Sequence, residues 1–119
     1  HTQNEAVSRL ESVIGDNGVK IRVLYGSDPS RCSRTEGEAW EKLRRAIIES
    51  WPEAIVSPYV MLASSDSRFY GRISDRVYRF SGMELSDAER AMIHGKNERI
   101  PVEKLAETVR FYIRLMKKC

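Results

Sequence analysis

Val19-Lys20-Ile21-Arg22-Val23-Leu24-Tyr25 alternates along its length, with Val19, Ile21, Val23 and Tyr25 on one face and Lys20 and Arg22 on the other. A period of two with one wet face predicts a β-strand covered on a single side. Upstream, Val7, Leu10, Val13 and Ile14 recur at helical spacing, and Gly15-Asp16-Asn17-Gly18 supplies a tight turn. Downstream, Gly26 to Arg34 carries Pro29 and the serines Ser27, Ser30 and Ser33, the strongest linker candidate in the chain. One helix and one strand cannot make a domain, so this strand needs partners from elsewhere.

Beyond the linker, Thr35-Glu36-Gly37-Glu38 has the spacing of a capping box. Trp40, Leu43, Ile47 and Trp51 then form an apolar stripe that Pro52 ends. Residues Ala54 to Ala63 read as a strand buried on both faces at its far end, with Pro58 arguing for an edge or a bulge. Val77-Tyr78-Arg79-Phe80 reads as a short strand, and Ser86-Asp87-Ala88-Glu89 as a second capping box that Gly95 terminates. From Pro101 a helix runs to the C-terminus with Leu105, Val109, Tyr112, Ile113 and Met116 on one face. The order alternates, and the fold class it predicts is α/β.

Composition bounds the function. The chain has 119 residues, 41% hydrophobic and 31% charged, which suits one globular domain and excludes a disordered tail. No apolar run approaches the ~20 residues of a membrane helix, and His1 to Asn4 shows no signal pattern, so a cytoplasmic location is expected. A net charge of +3 is too mild to argue for nucleic acid, and Lys42, Arg44 and Arg45 read as a solvated helix face. Cys32 and Cys119 are too far apart for a disulfide framework or a zinc ribbon and read as free thiols.

Two places could carry chemistry. The loop Ala63-Ser64-Ser65-Asp66-Ser67-Arg68 follows a strand, where α/β proteins bind ligands, and Arg68 could grip a carboxylate through two parallel hydrogen bonds. The same loop also reads as a capped turn with an Asp-Arg pair. His94, before Gly95, reads as a structural histidine or as a single ligand, since zinc wants three or four.

Two segments resemble one family. Ser65-Asp66-Ser67-Arg68-Phe69 is similar to the Gly-Thr-Asp-Ser/Ala-Arg-His/Tyr loop of the dizinc peptidases and amidohydrolases related to aminoacylase, Gly-Xaa carboxypeptidase and succinyl-diaminopimelate desuccinylase. Val77-Tyr78-Arg79-Phe80, followed by Ile93-His94-Gly95-Lys96-Asn97-Glu98-Arg99-Ile100 and Val102-Glu103, resembles that family's closing segment. Ala63, Ser64 and Ser65 stand where the family has Gly, Gly and Thr, and Phe69 replaces its His or Tyr.

The resemblance implies a partial fold. Residues 1–30 would be the last helix and strand of a lid, or dimerisation, domain; residues 31–119 would be the C-terminal part of a catalytic α/β domain. It further implies that His94 is one zinc ligand of a two-ion site, with Glu98 behind it, and that Arg68, Ser65 and Asp66 form the substrate loop. The implied reaction is metal-assisted hydrolysis of an amide bond near a free carboxylate, in a dipeptide or an N-acyl amino acid. No catalytic base is expected in this chain, so the chain alone is expected to be inactive, and the whole protein a homodimer. The competing expectation is a small α/β module that binds a partner or a carboxylate ligand without catalysis.

Overall fold

A computed structural model describes residues 1–63 and 65–119; the expectation for Ser64 lies outside the described residues. The chain divides into two compact units, His1–Arg31 and Cys32–Cys119.

In the first unit α1 spans Gln3–Ile14. Its start is a capping box: the Thr2 hydroxyl accepts from the Glu5 N–H (3.3 Å) and the Glu5 carboxylate accepts from the Thr2 N–H (2.8 Å). Gly15 stops the helix in the left-handed conformation (φ 60°), where its N–H donates to the Glu11 carbonyl at 3.0 Å. The Asp28 carboxylate accepts from the Gln3 N–H (2.9 Å) and ties the following coil back to the helix start. No residue of α1 is buried.

The second unit holds α2 (Glu38–Ser50), α3 (Ser67–Tyr70), α4 (Asp87–Arg90) and α5 (Val102–Met116). Among the described residues only α2 and α5 pack against one another as helices. Their seam buries Leu43, Ala46, Ile47 and Phe111, and Trp51, Val56, Tyr78 and Leu115 pack around these four. Phe111 is fully enclosed, with Trp51 and Phe80 at ring-centroid distances of 5.3 and 5.1 Å. At the C-terminal end of the seam, Lys118 pairs with Glu49 (2.8 Å), and Arg114 reaches Ser50. The capping box expected at Thr35 is not formed; the N-cap is Gly37, without a side-chain hydrogen bond.

The α/β expectation is overturned. Among the described residues there is no β-strand: 19–25, 54–63 and 77–80 are extended or irregular, and the secondary structure is helical. A strand exists only as part of a ladder, and the periodicity of a sequence does not supply the partner. Around 77–82 side chains take the ladder's place. The Ser33 hydroxyl donates to the Val77 carbonyl (2.7 Å) and accepts from the Val77 N–H (3.0 Å), as a neighbouring peptide group would. Tyr112 and Thr108 of α5 donate to the carbonyls of Phe80 (3.3 Å) and Gly82 (2.7 Å). Alongside, the Arg34 N–H donates to the Asp75 carbonyl at 2.9 Å.

The expected burial of 54–63 also fails. Ile55 is 95% exposed, and Tyr59, Val60, Met61 and Leu62 are exposed; Val56 alone packs on the core. Likewise the stripe foreseen on the last helix (Leu105, Val109, Tyr112, Ile113, Met116) is exposed, and α5 buries Phe111 instead. A helix apolar on two sides is built to be covered on two sides. The total exposed surface is 10144 Å², where two separate compact bodies of these sizes would expose roughly 7,700 Å².

α4 is latched to α5. Lys104 donates to the Glu89 carboxylate (2.8 Å), and the same oxygen accepts from the Ser86 N–H and hydroxyl (2.7 Å each), completing the second capping box. The ammonium first, and the Ser86 donors next, hold the Glu89 carboxyl far below the usual range, at about 2.

Two outcomes are expected of any protein containing this unit. A Cβ at Gly82 would stand 2.7 Å from the Phe111 ring, so Gly82→Ala should destabilise it, by about 1–3 kcal/mol in a denaturant titration. Glu89→Gln should lower stability at neutral pH. Because the folded state depresses this carboxyl, its contribution is full above the ordinary value of 4.5 and is lost as pH falls toward 2. Melts at a series of pH values should therefore show the gap between Glu89→Gln and the unsubstituted protein closing across that window.

Candidate functional site

Ser65, Asp66 and Arg68 form a tight turn that opens α3. The Ser65 carbonyl accepts from the Arg68 N–H (3.1 Å) and the Asp66 carbonyl from the Phe69 N–H (3.0 Å). The Ser65 hydroxyl accepts from the Ser67 N–H at 3.3 Å. Arg79, on the extended segment under the aromatic core, donates from Nε to the Ser67 hydroxyl (2.7 Å). The loop is thus fastened to the 77–80 segment by its second serine, a contact that spacing in the sequence does not reveal.

Arg68 is half-buried, and its guanidinium lies over the Phe69 ring, 5.6 Å from the centroid; Arg72 lies over the same ring at the same distance. Asp66 is exposed and does not pair with Arg68, so the reading of this loop as a turn with an Asp-Arg ion pair is not what forms. Sequence reasoning placed Arg68 in a site but did not see Phe69 and Arg72 as its neighbours. The signal was present as Arg68-Phe69-Tyr70-Gly71-Arg72, two arginines one helical turn apart beside an aromatic residue.

His94 stands at the far end of the turns that follow α4. It adopts a left-handed backbone (φ 59°), as does Asn97 (φ 61°), and Gly95 between them donates to the Met92 carbonyl at 2.8 Å. Two non-glycine residues in that region within four positions store backbone strain, which is characteristic of functional turns. His94 and Glu98 are both exposed, and neither side chain is hydrogen-bonded or ion-paired to another described residue.

The structure does not join the two groups of candidates. No hydrogen bond links Ser65, Asp66 or Arg68 to His94 or Glu98, and among the described residues no three His, Cys, Asp or Glu side chains converge as a metal site requires. Cys32 and Cys119 are free and exposed. A groove of about 570 Å³ lies elsewhere, between α2, the 76–80 segment and α5, lined by Leu43, Tyr78, Phe80, Tyr112 and Leu115; none of the candidates borders it. Among the described residues no helix is long and apolar enough to cross a membrane.

Comparison with known proteins gives these positions a context. The chain is 30% identical over 98% of its length to an "N-fatty-acyl-amino acid synthase/hydrolase PM20D1.1" of Danio rerio, covering 23% of that protein. It is 29% identical over 96% of its length to a "Probable carboxypeptidase S-like 2" of Dictyostelium discoideum, covering 22% of it. It is also 29% identical over 98% of its length to the Homo sapiens "N-fatty-acyl-amino acid synthase/hydrolase PM20D1", covering 24% of it. The chain thus spans under a quarter of these relatives. No solved structure matches it significantly. The pattern of peptidase family M20/M25/M40 matches residues 3–118, that is, both units and both candidate segments, and the chain belongs to that family.

Proposed function

We propose that this chain is the C-terminal part of a zinc-dependent peptidase or amidohydrolase that cleaves an amide bond beside a free carboxylate. Residues 1–30 would close a lid domain that pairs two subunits, and residues 31–119 would end the catalytic domain. The observation that carries the reading is the family match across 3–118. Two of the relatives are named for N-fatty-acyl amino acids, which favours an N-acyl amino acid over a dipeptide as the substrate.

In this reading the Arg68 fork holds the substrate's carboxylate, and Ser65 and Asp66 shape the turn that presents it. His94, exposed and unbonded at a strained turn, is poised to give one imidazole to a metal ion, with Glu98 four residues on to orient it. One imidazole does not make a zinc site, and the described residues alone do not fit one. The other ligands and the general base belong to the larger protein in this proposal. The large exposed surface, which includes the apolar residues of 54–63 and of the outer face of α5, supports the same view, because such faces need cover.

The test compares the 119-residue chain with the larger protein. The chain alone should hydrolyse no N-acyl amino acid and retain no zinc after dialysis. In the larger protein His94→Ala should abolish hydrolysis and lower the zinc content, measured by elemental analysis. Hydrolysis by the chain alone, or full activity and full zinc in His94→Ala, would overturn the proposal.

A further inference from the structure

The Phe69 ring gathers two cations, since the guanidinium carbons of Arg68 and Arg72 each lie 5.6 Å from its centroid. Among the described residues neither arginine takes part in an ion pair, so no carboxylate of this chain neutralises the charge gathered at the ring. Two guanidinium groups held at one ring make this turn a local concentration of positive charge, which favours an anion beside it. The backbone beneath them is fixed: the Phe69 carbonyl accepts from the Arg72 N–H (3.2 Å), and Arg79 fastens Ser67.

We propose that Phe69 is a positioning residue that aims the Arg68 fork, and that Arg72 is a second specificity residue whose charge acts on the same substrate carboxylate. The inference rests on the reading of Arg68 as the carboxylate-binding residue. It assigns to the departure at Phe69 a consequence: a face of this aromatic ring holds a guanidinium by its quadrupole, with no hydrogen-bonding group involved. An exposed contact of this kind changes binding by about two- to fivefold.

The experiment uses the larger protein and two probes, a long-chain N-acyl-leucine and the same compound with its carboxylate replaced by a carboxamide. The readout is the ratio of their kcat/KM values. Arg68→Gln should collapse the preference for the acid. Phe69→Leu and Arg72→Gln should each reduce it by about two- to fivefold, through KM of the acid with kcat held. Phe69→Trp, which keeps a ring, should restore the preference. Arg110→Gln, which removes one charge from α5, should leave the ratio in place.

If Arg68→Gln leaves the preference intact, the carboxylate reading of the loop falls and this inference with it. The same holds if neither probe is hydrolysed. If Arg68→Gln abolishes the preference while Phe69→Leu and Arg72→Gln do not move it, the carboxylate reading stands and the inference is wrong. Should Phe69→Leu fail to fold, Arg72→Gln, at an exposed position, decides alone.

Discussion

Phe111 is the only large side chain that is fully enclosed among the described residues, and the Cys32–Cys119 unit is organised around it. α2 supplies one wall, Trp51 and Phe80 stack on its flanks, and Gly82 passes so close that a methyl group would strike the ring. Burying a ring of this size accounts for about 3–5 kcal/mol when it is truncated, a large share of what so small a core can hold. The backbone carbonyls that flank it are taken by Tyr112 and Thr108 from the same helix. One helical turn of α5 therefore fixes both the apolar packing and the polar satisfaction of the 77–82 segment.

That segment carries the consequences to the candidate residues. Its Arg79 donates to the Ser67 hydroxyl, and that contact ties the 65–68 turn, with Arg68 and Phe69, to the segment that flanks the aromatic core. The chain then passes through the Glu89–Lys104 latch, which anchors α4 to α5 ahead of the His94 turn. Each candidate thus hangs from α5 through a different polar tie.

The helices were legible because their signals are local. Val7, Leu10 and Val13 marked α1, the Ser86–Glu89 box marked α4, and Pro101 marked the start of α5. The strands were not, because a period of two states which face is apolar and says nothing of what lies beside it. Val19–Tyr25 and Ala54–Ala63 alternate or run apolar as strands do, yet no ladder forms on them among the described residues. The apolar stripe expected on the last helix is there, but the helix is apolar on two sides, and periodicity did not show that Phe111 is the residue that goes in while the stripe stays exposed. At the candidate site, Arg68, Phe69 and His94 were named from the motif, but the contacts that Phe69 makes with Arg68 and Arg72, and Ser33 with Val77, were not, because a ring face and a hydroxyl act across space where no spacing rule reaches.

The central claim is that the exposed extended stretches and the outer face of α5 are surfaces completed by a larger protein. Amide hydrogen exchange, followed by mass spectrometry on the 119-residue chain and on the full native polypeptide, tests it most directly. The account predicts that α2 and the Phe111 turn of α5 exchange slowly in both, whereas 19–25, 54–63 and 77–82 exchange fast in the chain and become protected in the larger protein. Equal exchange in those three stretches in the two samples would contradict it.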